Sequence, residues 1–114
     1  MPRDETYLIY MLSAARRVTI YIGGLSREQF DTDQKSMDAI ALQLGNIGEA
    51  ANQISPDFQR SHLEIPWPKV VGMRNRIFHR YVEIDWDIVW VAATEEVPEL
   101  IRLLQPIVPP DPVW

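Results

Sequence analysis

Eight consecutive residues, Arg74-Asn-Arg-Ile-Phe-His79-Arg-Tyr81, hold three arginines, a tyrosine and one of the two histidines in the chain. Arginine presents a planar fork of donors that matches phosphate oxygens, and histidine is the side chain whose unperturbed pKa lets it exchange protons near neutrality. The combination points to chemistry on a phosphate, and it needs no metal ion. No cofactor is expected.

Charge is distributed to suit that reading. The chain of 114 residues carries a net charge of −5, an unpromising average for a polyanion binder. Locally the balance reverses: Lys69, Arg74, Arg76 and Arg80 fall in a stretch without an acid, whereas Glu83 to Glu99 holds six acids and no base. A phosphate site therefore belongs in the first of these segments. With no cysteine, disulfides, thiol catalysis and cysteine-ligated zinc are excluded. Met1 to Glu5 carries charges of both signs and leads into no long apolar run, so neither a secretory signal nor a membrane span is expected. The expectation is a soluble cytoplasmic protein with one helical domain over residues 1–104 and a Pro-rich tail over residues 105–114.

The elements that must position the cluster read as helices. Leu8, Met11, Leu12, Ala15, Val18 and Ile22 recur at helical spacing, and Gly23-Gly24 ends that run. Ser26 and Gln29 have the form of a capping box, with Phe30 beyond it. A long helix from about Asp33 to Ile54 carries a continuous apolar face, and Gly45 and Gly48 along it predict the close approach of another helix. Ser55-Pro56-Asp57 is a stop and restart. A third helix is predicted through Val70, Met73, Ile77 and Phe78, with the basic cluster at its C-terminal end. The last begins near Asp85, with Pro98 as a kink or break. The fold class is all-α, an antiparallel bundle of four to five helices.

On an ideal helix Val70, Ile77 and Tyr81 share the direction of Arg74, which puts Arg74 in the middle of the apolar face. A buried arginine needs a partner, either a carboxylate, for which Glu49 of the long helix is the best candidate, or a ligand phosphate at a subunit seam. Asn75, four residues before His79, shares its edge and is a supporting residue that orients the imidazole or bonds a ligand. Arg76 and Arg80 point outward as a basic rim. Taken singly the same residues also suit a structural ion pair, a helix C-terminus dressed with cations, and a core tyrosine. His62 reads as a surface residue, Asp85 and Asp87 as helix caps, and Trp67, Trp86 and Trp90 as core or interface aromatics.

Arg74, His79 and Tyr81 form an R-x4-H-x-Y motif, and with it the chain resembles the HEPN superfamily, specifically the HepT-like toxins of type VII-like HEPN/MNT toxin-antitoxin pairs. The likeness extends in order through Gly45 to Asn52, Ile65 to Trp67, Gly72 to Asn75, Asp85 to Trp90 and Thr94 to Glu99, and covers roughly residues 4–105. The resemblance implies a helical homodimer with metal-independent endoribonuclease activity in which Arg74 and His79 match the catalytic pair. It also implies that Tyr81 matches the tyrosine that an MNT-type nucleotidyltransferase antitoxin modifies with AMP to silence the toxin. Arg80 stands where many relatives have glycine, which extends the basic surface or alters access to Tyr81.

RNA brings its own nucleophile, the 2′-hydroxyl, so cleavage needs a base, an acid and a cation for the charge on the phosphorus oxygens. One motif histidine per chain cannot be both base and acid in one step, and a two-fold dimer would supply two. Two other readings remain open: a non-catalytic nucleotide-binding or partner subunit of a nucleotidyltransferase, and a purely structural dimer with Arg74 locked to Glu49.

Overall fold

The computed structural model describes residues 3–79 and 83–110, with His79 described through its backbone. Helix α1 (Arg3–Ile22) stops where Gly23 turns to a φ of 47°, a left-handed conformation that glycine adopts without steric cost. Ser26 then opens α2 (Arg27–Asp31) with a complete capping box, its Oγ accepting from the Gln29 amide at 3.1 Å while Gln29 Oε1 accepts from the Ser26 amide at 2.9 Å. Phe30 of this short helix is fully buried beside the rings of Trp86 and Trp90.

Asp33 caps α3 (Gln34–Asn52) by accepting from the Ser36 amide at 3.1 Å. The two long helices run antiparallel. Asp4, at the start of α1, accepts from the Ser55 amide at 2.8 Å and the Ser55 hydroxyl at 2.6 Å, just past the end of α3. Between these ends lies the core: Leu8, Met11, Ala15 and Val18 from α1, and Ile40, Leu44, Ile47 and Ala51 from α3.

Ser55 and Pro56 open α4 (Pro56–Ser61), where proline's missing N–H falls in the first turn. His62 ends it and is structural rather than a free surface residue. Its ring stacks on Phe58 at 4.1 Å, and its carbonyl accepts from the buried Trp67 indole at 2.9 Å.

The predicted third helix is two helices. α5 (Trp67–Val71) and α6 (Met73–Ile77) are separated at Gly72, and α6 ends because Phe78 turns extended, at φ −96° and ψ 105°. Phe78 and His79 (β1) then pair antiparallel with Glu83 and Ile84 (β2), and the Asp85 amide donates to the Ile77 carbonyl at 2.8 Å. This two-residue ladder takes up the backbone groups that a longer helix would have used.

Asp85 caps α7 (Trp86–Val91), which passes through a π turn (Ala92–Glu96) into α8 (Val97–Leu104). Pro98 therefore neither stops the helix nor stands in its middle: the widened turn ends just before it, and it occupies the first turn of α8. Asp87, read as a cap, instead bonds Arg27 at 2.7 Å and ties α7 to α2. Past Leu104 the chain does not run out as an extended tail at once. The amides of Ile107 and Val108 both return to the Leu104 carbonyl at 3.0 Å, and both side chains pack on the core. No helix among the described residues is long and apolar enough to cross a membrane.

The close approach foreseen for α3 occurs at Gly48. A Cβ there would stand 3.3 Å from the Arg74 amide nitrogen and 3.3 Å from the Val70 carbonyl oxygen, both backbone atoms. Gly48→Val drives branched carbons into that contact, and overpacking of this kind costs about 1–3 kcal/mol. The expected result is a melting temperature several degrees lower; an unchanged value would show that α5 and α6 do not dock through Gly48.

Candidate active site

The buried residues of α6 are Met73 and Ile77, four apart. With the core on that side, Arg74 and Arg76 flank the buried face at about 80° to either side and Asn75 points directly outward. The two arginines then meet different surroundings.

Arg74 lies in the open. Its side chain is 58% exposed, its Nε stands 3.6 Å from Glu49 Oε1, and its guanidinium sits 5.4 Å over the Phe78 ring, which in turn lies against Gly45. The predicted partner is therefore correct and the predicted burial is not. An exposed pair of this kind is worth about 0–1 kcal/mol, so Arg74 does little to hold the fold. It lines a solvent-open cleft of about 250 Å³ with Gly48, Glu49, Asn52, Val71 and Asn75. The wheel misplaced it because it assumed one helix from Val70 to Tyr81, whereas the break at Gly72 resets the face.

Arg76 is not part of an exposed rim. Its Nη2 lies 2.7 Å from Glu96 Oε1 and its Nη1 3.3 Å from Oε2, while Lys69 Nζ approaches Oε2 at 3.6 Å. Both members of the pair are largely covered, and Arg76 Nε is buried without a hydrogen-bond partner. Burial pushes the Glu96 carboxyl up, but the Arg76 hydrogen bonds and the charges of Arg76 and Lys69 outweigh it and hold the carboxyl below its ordinary 4.5. Glu96 was missed in the sequence because it sits in an acid-rich stretch that reads as a solvated face. The available signal was its place at helical spacing from the apolar Ala92, Ala93 and Leu100.

His79 and Asn75 do not share a helix edge, because α6 ends at Ile77 and the His79 backbone pairs with Glu83 in the ladder. The imidazole, together with Arg80 and Tyr81, lies outside the described residues. Asn75 is exposed on the Arg74 cleft, a position from which it can reach a ligand there. Among the described residues no group of three or more histidine, aspartate or glutamate side chains converges as a metal site.

Comparison with known proteins gives the chain a family. The family model described as Ribonuclease HepT-like matches residues 11–107, a span that includes Arg74, His79 and Tyr81, and the chain belongs to that family. A Thermococcus cleftensis protein named "Probable ribonuclease HepT" is 33% identical over 84% of this chain and 87% of its own length. A Caldanaerobacter subterraneus protein named "Putative RNase" is 29% identical over 94% of this chain and 96% of its own. A Methanocaldococcus jannaschii protein, also named "Putative RNase", is 30% identical over 86% of this chain and 91% of its own. No solved structure matches the chain.

The Arg76–Glu96 pair makes a pH prediction. A carboxyl held low in the folded state stabilises the protein above its unfolded pKa and ceases to do so as pH falls through the lower folded value. The contribution is thus intact above about pH 4.5 and lost below it. Glu96→Gln leaves Arg76 partly buried against a neutral amide, at a cost of about 1–3 kcal/mol at neutral pH. The melting temperature of the variant should fall less steeply than that of the wild type as pH drops below 4.5. Parallel acid limbs in a thermal-shift titration would disprove the pairing.

Proposed function

We propose that this chain is a metal-independent endoribonuclease and the toxin of an HEPN/MNT pair. The observation that carries the reading is Arg74, an arginine that the fold does not need and that stands open on a cleft, in a chain belonging to the HepT-like family. The names of the relatives support the same class of activity.

In the proposed reaction a base takes the 2′-hydroxyl proton, O2′ attacks the adjacent phosphorus, and the P–O5′ bond breaks as an acid protonates O5′. The products are a 2′,3′-cyclic phosphate and a 5′-hydroxyl. Arg74 holds the negative charge that builds on the phosphorus oxygens. His79 of one subunit serves as base and His79 of a second copy as acid, so the site is shared across a homodimer. Asn75, outermost on α6, bonds the ribose or the phosphate, and Arg80 supplies the basic rim. Transfer of AMP to Tyr81 by an MNT-type nucleotidyltransferase antitoxin silences the enzyme by filling the cleft with a competing phosphate.

Cleavage of RNA in EDTA tests the chemistry. His79→Ala and Arg74→Ala should each lose activity by on the order of 10²- to 10⁴-fold. Arg74→Ala should nonetheless melt within a few degrees of the wild type, since its ion pair is exposed. Wild-type cutting by His79→Ala, or 3′-hydroxyl products, would rule the mechanism out. Binding without cleavage would favour the nucleotide-binding reading, and unfolding of Arg74→Ala the structural one. For regulation, Tyr81→Phe should cleave normally and accept no AMP from the antitoxin; mass spectrometry finding AMP on the Phe protein would exclude Tyr81 as the modified residue.

A further inference from the structure

α3 presents two different flanks to either side of Glu49. On one, Gly48 and Asn52 face the Arg74 cleft. On the other, Gln43, Asn46, Ala50 and Gln53 face α1 across a groove of about 600 Å³, and Glu49 lines both. At about 100° per residue Glu49 falls between the two sets, so the groove and the cleft are neighbours across a single crest.

The lining of the groove is unlike a docking face for protein. Its floor is small, with Ala14 and Ala50, and Tyr10 stands at its wall as a 53% exposed residue whose ring meets Tyr7 edge-on at 5.7 Å. Gln43 is the one buried polar side chain among the described residues, only 8% exposed, and its amide has no hydrogen-bond partner among them. That amide keeps its contact with the solvent of the groove, so its donor and its acceptor are both open to an incoming group. A primary amide offers a donor and an acceptor side by side, which complements the edge of a nucleobase, and an exposed tyrosine ring is a surface on which a base can stack. Neutral amides also suit an uncharged base better than a phosphate. The arginine of the groove, Arg17, is exposed at its margin, where a neighbouring phosphate would pass.

We propose that the α1–α3 groove binds a base of the RNA strand next to the scissile phosphate. Gln43 bonds the base edge, Tyr10 stacks on its face, and the strand crosses Glu49 to reach Arg74. The proposal rests on the ribonuclease reading for its substrate, but binding can be measured apart from cutting.

Fluorescence anisotropy of a short labelled single-stranded RNA with the full chain carrying His79→Ala reads binding alone. Adding Gln43→Met or Tyr10→Ala should weaken it by about tenfold each. In otherwise wild-type protein, Gln43→Met should raise KM and relax the base preference at the cut site, while its melting temperature stays near wild type because the two side chains are of similar size and the amide holds no other part of the fold. Tyr10 is exposed, so its variant keeps the fold in any case. Unchanged or absent binding would overturn the groove. RNA that is bound in a Gln43- and Tyr10-dependent way but never cut would sink the cleavage reading and support the groove. A change of sedimentation behaviour in the variants with unaltered RNA binding would assign the groove to a second copy of the chain and overturn the proposal.

Discussion

The site depends on a backbone-to-backbone contact. Gly48 lets the Val70 carbonyl and the Arg74 amide come so close to α3 that a Cβ would stand only 3.3 Å from each, and everything that follows from the position of α6 follows from that approach. Once α6 is seated, Met73 and Ile77 take the core, and Arg74 and Arg76 are obliged to leave on opposite sides. The position of Arg74 beside Glu49 is a consequence of the adjacent glycine in α3. Phe78, close against Gly45, then completes the support beneath the guanidinium.

Two arginines separated by a single residue thus have opposite uses. Arg76 is matched by a carboxylate, which it shares with Lys69, in a largely covered setting, where charges interact strongly and a lost partner is costly. Arg74 faces a carboxylate in a solvent-open setting, where the same interaction is weak and an incoming anion can replace it. Structural and chemical roles are separated by exposure rather than by residue type.

Local signals carried much of the fold. The caps at Ser26, Asp33, Ser55 and Asp85, the glycine stop after α1 and the periodicity of α1 and α3 are set by neighbours in sequence, and each appears in the structure where the residues place it. Glu49 was also readable as the carboxylate for Arg74, since a cation on a packed helix calls for an acid on its neighbour. What failed was non-local. The helix wheel could not register that the chain breaks at Gly72 and turns into a ladder after Ile77, since the partner strand lies downstream. That single error exchanged the roles of Arg74 and Arg76 and gave His79 a helix edge that it lacks. Glu96 escaped notice because its burial is decided by helices packed against it.

The clasp between Asp4 and Ser55 has a kinetic meaning. It closes the pairing of α1 with α3 using only residues from the first half of the chain, with α2 as the connection between them. During synthesis from the N-terminus this platform can form before Arg74 has left the ribosome. The cleft assembles only when α5 and α6 arrive on a surface already waiting for them, so a truncated product would present the scaffold without the chemistry.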